Sequence, residues 1–88
     1  MNQSKIIYIG NLPLNITEDE IKDLFDKFGT IVSFRFAVSM PDSKIRPDFA
    51  FIQLSDINTM QNAVNKLDEF YYQNKFLIVK LIDYPSNN

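Results

Sequence analysis

The sequence predicts an α+β sandwich whose elements follow one another in the order β-α-β-β-α-β. Two hydrophobic segments, Ile7–Leu12 and Phe49–Leu54, alternate with the period of two that a half-buried strand uses. Each is followed by a segment in which apolar residues recur at helical spacing. A further β-like segment follows each of these helical segments, and these six segments make up the predicted order.

Composition limits the classes of protein that the chain can belong to. Its 88 residues suit one domain, and 45% hydrophobic residues with eight Phe are enough to fill a core. The chain has no Cys for disulfides or thiolate chemistry and no His, the commonest general base and metal ligand. It shows neither a signal-peptide pattern nor an apolar run long enough to span a bilayer. We therefore expect an intracellular, nuclear or cytoplasmic monomer that is not an enzyme and has no catalytic residues, cofactor, metal or membrane partner.

The first strand and the first helix have clear boundary signals. The strand is predicted over Lys5–Gly10, after a polar tail at residues 1–4. Thr17 followed three residues later by Glu20 is the pattern of a capping box, which marks a helix start. Gly29 ends the helical pattern as a predicted C-cap. The apolar stripe of this helix consists of Ile21, Leu24, Phe25 and Phe28.

The second and third strands are predicted over Ile31–Val38 and Phe49–Leu54. Two prolines and three charges in Ser39–Pro47 predict a hairpin loop between them. Because side chains alternate, Arg35 faces the side opposite its two Phe neighbours.

The second helix and the last strand complete the predicted domain, which covers residues 5–83, with 84–88 as a tail or the start of a linker. Ser55 or Asp56 is the predicted N-cap of the helix. A loop over Asp68–Asn74 and a last strand over Lys75–Ile82 follow. The apolar stripe of this second helix consists of Ile57, Met60, Ala63, Val64 and Leu67.

Right-handed crossovers in both β-α-β units place the two helices on the same side of the sheet. The predicted fold is thus a ferredoxin-like βαββαβ sandwich, with a four-stranded antiparallel sheet and two helices on one face. If the aliphatic side of each strand faces the helices, the rings of Tyr8, Phe49 and Phe51 are left on the outer face. Such rings are costly there unless something stacks on them. The alternative is that they belong to the core or are covered by the C-terminus of the chain.

The two alternating segments resemble the paired signature motifs of the RNA-recognition-motif family. The family's hexamer runs aliphatic, aromatic, aliphatic, any residue, Asn, Leu, and Ile7–Leu12 matches every defined position. This resemblance implies a module that binds single-stranded RNA, as part of a larger RNA-processing or mRNA-regulating protein, by stacking bases on the three outer rings. The family's octamer, laid on Pro47–Leu54, matches at Phe49, Ala50, Phe51 and Ile52 and departs at Pro47, Asp48 and Leu54.

The net charge of −2 has the wrong sign for binding a polyanion. Whether the chain can bind RNA therefore depends on how its charges are distributed over the surface. Five acids lie on the first helix, whereas most basic residues lie on the outer face of the sheet or its rims. Arg46 either replaces the basic residue missing at Pro47, or Pro47 and Asp48 make the site weak, and the sequence leaves both open. The predicted RNA-binding residues are Tyr8, Phe49, Phe51, Arg35, Lys44, Arg46, Lys80, Gln53 and Tyr84.

A protein-interaction domain is the alternative function, with a peptide bound by the exposed aromatics or the acidic first helix. The acidic helix resembles a branch of the family that binds a Trp-bearing peptide and carries Arg-any-Phe before the last strand. The corresponding positions are Phe70, Tyr71 and Tyr72, without the Arg, which argues against this branch. Tyr72 is expected in the core, and Phe70 and Tyr71 are expected to be packed, with a small partner site as the alternative. Other proteins could also bind the helical face.

Overall fold

The computed structural model describes residues 5–36 and 49–83. These residues form four strands of a main sheet, two helices and a separate two-stranded hairpin. No helix in these two ranges is long and apolar enough to cross a membrane. In chain order the elements are β1 (Lys5–Gly10), α1 (Glu18–Asp26), β2 (Ile31–Phe36), β3 (Ala50–Leu54), α2 (Ile57–Leu67), β4 (Tyr71–Tyr72), β5 (Lys75–Phe76) and β6 (Ile78–Asp83).

The main sheet has the strand order β2-β3-β1-β6, and every neighbouring pair is antiparallel. This arrangement confirms the predicted four-stranded sheet. An irregularity in the β2–β3 register lies between Ile31 and Ser33. There Val32 is exposed and has no partner in that register, while Ile31 packs on the core and Ser33 is exposed. Because of this one extra residue, Phe34 and Phe36 face the core, as Ile31 does, and Arg35 faces the outer side.

Both helices pack on one face of the sheet, as the sequence predicts, and they enclose one hydrophobic core. The strands contribute the aliphatic side of their alternation to this core, so the predicted assignment of faces is confirmed. The fully buried strand residues of the core include Ile7, Ile9, Ala50, Ile52 and Val79.

The start of α1 is confirmed, but its predicted C-cap is wrong. The Thr17 hydroxyl accepts a hydrogen bond from the Glu20 amide at 3.1 Å, and the Glu20 carboxylate accepts one from the Thr17 amide at 2.9 Å. The helix ends at Asp26, with Lys27 as C-cap in the right-handed region. Gly29 does not have a positive φ. A Cβ on Gly29 would lie 2.9 Å from the Thr59 hydroxyl oxygen, so this glycine serves the close approach of the chain to α2.

The N-cap of α2 is Asp56, which is one of the two residues predicted for this position. Its carboxylate accepts a hydrogen bond from the Asn58 backbone amide at 3.4 Å. Met60 and Leu67 are buried as predicted, but Ile57 is 44% exposed. Helical side chains point back toward the N-terminus, so the first side chain of the helix extends past its end. The placement of Ile57 in the apolar stripe is therefore wrong.

The segment predicted as a loop and a single last strand is divided differently. Residues 75–76 pair with residues 71–72 in the hairpin β4–β5, and the sheet strand begins only at Ile78. Gln73 and Asn74 both have positive φ, at 49° and 72°, as a type I′ hairpin turn requires. The interruption falls at Leu77, whose amide donates to the Phe70 carbonyl at 2.9 Å and whose carbonyl accepts from the Glu69 amide at 2.8 Å.

Candidate nucleic-acid interface

One row of side chains crosses all four strands on the face opposite the helices. In the strand register Arg35 pairs with Phe51, Phe51 with Tyr8, and Tyr8 with Lys80. Directly opposite residues of antiparallel strands have Cβ atoms about 5 Å apart on the same face. Two aromatic rings are therefore flanked by a cation on either side. All four residues were selected from the sequence, and the register brings them together.

Phe49 completes a triangle of rings with Tyr8 and Phe51. The ring centroids are 5.7 Å apart for Tyr8 and Phe49, 6.0 Å for Tyr8 and Phe51, and 6.1 Å for Phe49 and Phe51. All three rings are half-buried. The core on the other face is filled by aliphatic side chains of the same strands, so these rings are not part of it. The three rings are called the platform below.

The orientation of the Tyr8 ring depends on Gly10. A Cβ at Gly10 would lie 2.5 Å from the Tyr8 hydroxyl oxygen and 2.9 Å from two ring carbons. The ring thus lies across the backbone of Gly10, where any other residue would place a side chain. This close approach is the reason for a glycine at this position of β1.

Arg35 contacts the platform directly. Its guanidinium carbon lies 5.1 Å from the centroid of the Phe51 ring, which is within the range of a cation–π interaction. The residue as a whole is exposed. The same guanidinium therefore steadies the ring and presents positive charge beside it.

Lys80 is already paired within the chain. Its ammonium lies 2.9 Å from one carboxylate oxygen of Asp68, and the other oxygen accepts the amide hydrogen of Val79 at 2.9 Å. The Val79 amide, and then Lys80, hold the pKa of Asp68 below its usual value. The hydrogen bond that the Lys80 ammonium donates to the Asp68 carboxylate in turn raises the pKa of Lys80. Lys80 thus stays positively charged, but a phosphate that binds its ammonium group has to compete with the Asp68 carboxylate.

Gln53 lies on the outer face, where its side-chain amide donates to the Lys5 carbonyl at 3.3 Å. This bond holds the half-buried side chain between β3 and β1. Three other predicted RNA-binding residues, Lys44, Arg46 and Tyr84, lie outside the described residues. Pro47 and Asp48 lie there as well, so the two readings of the departure from the family's octamer stay open.

The acids of α1 are partly engaged in local contacts. Glu18 forms an ion pair with Lys22 at 2.8 Å, and Glu20 belongs to the capping box. Asp23 and Asp26 are exposed. This helix lies behind the sheet, so its negative charge is separated from the platform by the core.

Sequence reasoning missed an exposed group of aromatics on the hairpin. Phe70 and Tyr71 were expected to be packed, but Phe70 is 40% and Tyr71 56% exposed. Tyr72 packs on the core as expected, although it is only half-buried. The prediction that Phe70 and Tyr71 are packed is therefore wrong. The signal for a hairpin was Gln73-Asn74, since Asn readily adopts positive φ.

Comparison with known proteins places these features in a family. The profile of the RNA recognition motif matches residues 7–78, which is most of the chain. The chain therefore belongs to the RNA-recognition-motif family.

Two curated relatives are splicing-factor subunits. The chain is 37% identical over 76 residues to the Arabidopsis thaliana "Splicing factor 3B subunit 6-like protein", covering 86% of this chain and 58% of the relative. It is 36% identical over 84 residues to "Splicing factor 3B subunit 6" of Drosophila melanogaster, covering 96% and 64%. The chain thus spans about three fifths of the length of these relatives.

Solved structures agree with the fold. The structure titled "Structure of RNA15 RRM" is similar with a TM-score of 0.80 and 27% identity, covering 98% of this chain and 94% of that one. The same domain "with bound RNA (GU)" is similar with a TM-score of 0.75 and 27% identity, covering 93% and 83%.

Proposed function

We propose that the chain binds single-stranded RNA on the outer face of its sheet, as one module of a larger protein that acts in RNA processing. Two or three unstacked bases would lie on Tyr8, Phe49 and Phe51. The observation that carries this proposal is the row in which Arg35, Phe51, Tyr8 and Lys80 follow one another across the four strands. Aromatic faces for bases and cations for phosphates are what a single strand needs.

The comparisons support this proposal. The family is named for RNA recognition, and one similar domain has RNA bound. The names of the relatives point to splicing, which supports a nuclear or cytoplasmic location. A binding module of this kind needs no catalytic residues, so we propose that the domain is not an enzyme.

The charge of the site predicts moderate affinity with a limited dependence on salt. Only four cations, Arg35, Lys44, Arg46 and Lys80, are assigned to phosphates, and Lys80 is shared with Asp68. Each phosphate neutralised on a single strand contributes about −0.7 to the log–log slope, so we expect roughly −2 to −3 in all. Base stacking supplies the remaining free energy of binding, and the entropy lost on ordering the RNA offsets part of this gain. The expected dissociation constant is on the order of micromolar.

Titration with a pool of short random-sequence RNAs, followed by backbone amide chemical shifts, tests the proposal. We expect the largest shifts at the platform residues and their neighbours on β1 and β3. Shifts confined to α1 and α2, or no shifts at all, would contradict it. Shifts caused by peptides alone would favour the protein-interaction alternative.

A further inference from the structure

A second aromatic surface lies on the hairpin β4–β5, outside the row described above. Tyr71 and Phe76 are paired in the hairpin register, and their ring centroids are 4.8 Å apart. Tyr71 is 56% and Phe76 59% exposed. Two adjacent rings exposed to this extent are unusual here, because the other aromatics among residues 5–36 and 49–83 are mostly half-buried or buried.

The hairpin register gives the direction of the two rings relative to the core. Side chains alternate across a hairpin, and the other pair, Tyr72 and Lys75, is half-buried, with Tyr72 packed on the core. Tyr71 and Phe76 therefore point away from the core. The chain that follows agrees with this direction: Leu77 is fully buried, and its neighbours Phe76 and Ile78 are exposed.

Ile78 lies next to the platform in the sheet. Ile78 is paired with Gly10 in the sheet, and the Tyr8 ring lies across Gly10. Ile78 is 42% exposed, and Phe76 is two residues before it. Ile78 is therefore an exposed apolar residue on the outer face of the edge strand, and Phe76 and Tyr71 lie beyond it along the chain.

Hydrogen bonds hold the hairpin in this position. The Asn11 side-chain amide donates to the Phe76 carbonyl at 2.9 Å, and the Lys75 ammonium lies 3.4 Å from the Leu12 carbonyl. Both partners come directly after β1, which carries Tyr8. The rings are thus preorganised relative to the platform, so binding to them does not have to order a loop first.

The charge of the segment favours an anionic occupant. Residues 70–82 contain two Lys and no Asp or Glu, in a chain that has eleven acids among its 88 residues. One carboxylate from another element reaches the hairpin turn, where Glu20 accepts a hydrogen bond from the Gln73 side-chain amide at 3.5 Å. The rings of Tyr71 and Phe76 carry no charge themselves, and bases can stack on them. An acidic or neutral peptide would gain less from the platform, which is built for bases.

We propose that Tyr71 and Phe76 form a second stacking subsite, which takes a base of the same RNA strand beyond the bases on the platform. This inference rests on the proposed RNA-binding function. It predicts a footprint that runs past the edge strand β6 onto the hairpin. Removing the two rings should then weaken the binding of long oligonucleotides and leave that of short ones unchanged.

The test compares random-sequence RNA pools of about four and about eight nucleotides, the shorter one sufficient for the platform alone. The variant carries Tyr71→Ser and Phe76→Ser, and a second variant, Tyr71→Leu with Phe76→Leu, removes the π faces while keeping apolar volume in case the first does not fold. Ile57→Ala is the control, because it removes exposed apolar surface from α2, on the other side of the sheet. Dissociation constants are measured for both pools.

We expect the hairpin variants to bind the short pool like the unmodified chain and the long pool at least about fivefold more weakly, since one stack is lost. Ile57→Ala should change neither. Equal affinities of variant and unmodified chain for the long pool would overturn the subsite and leave the proposed function standing. An equal loss for both pools would also overturn it, because the rings would then act on the platform itself. If the unmodified chain binds neither pool, the proposed function fails first.

Discussion

The two faces of the sheet are built by the same strands, yet they differ in what their side chains contact. On the inner face Ile7, Ile9 and Ile52 are fully buried under the helices. On the outer face Tyr8 and Phe51 are half-buried, with rings about 6 Å apart. Because side chains alternate, neighbours such as Phe51 and Ile52 have opposite roles. Stability and binding can therefore be changed separately by substitutions one residue apart.

The two glycines of the chain repeat this division. Gly10 accommodates the Tyr8 ring on the outer face, whereas Gly29 accommodates Thr59 on the helical side. Neither has a positive φ. In both places the missing Cβ, rather than an unusual backbone conformation, is what the fold requires.

The largest expected effect comes from the inner face. Ile52→Ala removes a fully buried side chain from the centre of the core, so it should lower the free energy of unfolding by about 2–5 kcal/mol. Urea denaturation followed by circular dichroism measures this loss. A loss below about 1 kcal/mol would mean that the inner face is not the stabilising one.

Phe51→Ala is the matched change on the outer face. It removes a ring that stacks on nothing inside the core, so folding should be retained, with a smaller loss of unfolding free energy than in Ile52→Ala. RNA affinity should fall roughly tenfold or more, since a lost stack costs about 1–3 kcal/mol. Fluorescence anisotropy with labelled RNA gives the affinity. An unfolded Phe51→Ala variant would show that the assignment of faces is wrong.

What could be predicted from the sequence depends on local pattern. The alternation around Tyr8 and Phe51 predicts both strands and their faces, and Thr17 with Glu20 predicts the start of α1, because each signal lies within a few residues. The break at Leu77 could not be predicted in this way. It depends on the hydrogen bonds between Leu77 and residues 69 and 70 and on the Asn11 side chain, which is distant in sequence.

In the candidate site, too, local pattern predicts some features, and others depend on contacts between residues that are distant in sequence. The position of Lys80 on the outer face follows from strand parity, but its ion pair with Asp68 depends on how the end of α2 meets the edge of β6. The exposure of Tyr71 likewise depends on the hairpin and not on its own neighbours in sequence. The sequence predicts Gly29 as a C-cap because glycine is common at helix ends, whereas its close approach to Thr59 involves two elements that are separate in sequence.

Gly10→Ala and Gly29→Ala sharpen the comparison of the two faces. At Gly10 the new methyl group displaces the Tyr8 ring, so RNA affinity should fall about three- to tenfold, within the range of one stack. At Gly29 it meets the Thr59 side chain, so the expected loss is in unfolding free energy, about 1–3 kcal/mol, with RNA binding unchanged. Both quantities are measured for both variants. Reversed results would show that the ring position does not matter for binding.

Asp68→Asn tests whether the ion pair limits Lys80. The asparagine oxygen can still accept the Val79 amide hydrogen, while Lys80 loses its charged partner. RNA affinity should rise up to about threefold, and the salt slope should steepen by about 0.7 as one more phosphate is neutralised. Asp83→Asn is the control for net charge, since its partner Lys5 has the strand parity of the inner face. An equal change in both variants would attribute the effect to net charge alone.

The same variant has a consequence for pH dependence. The pKa of Asp68 is lowered in the folded chain, so its carboxylate contributes stability above its ordinary pKa, and this contribution is lost as the pH falls through the lowered value. Thermal unfolding between about pH 5 and pH 2 should therefore show a smaller decrease for Asp68→Asn than for the unmodified chain. Identical pH profiles would mean that the Asp68 contacts do not contribute to folding.

The smallest effect is expected behind the sheet, where Asp23→Lys and Asp26→Lys reverse two exposed charges of α1. Stacking on the platform should be unchanged, because the core lies between this helix and the rings. The association rate with RNA should increase a few-fold at low salt, since the field of the whole domain becomes less negative, and the increase should disappear at high salt. Stopped-flow fluorescence at several salt concentrations measures it. A peptide partner bound by the acidic helix would instead be lost in this variant. A clear loss of RNA affinity would place α1 in the RNA interface. The conclusion that only the outer face of the sheet binds RNA would then be wrong.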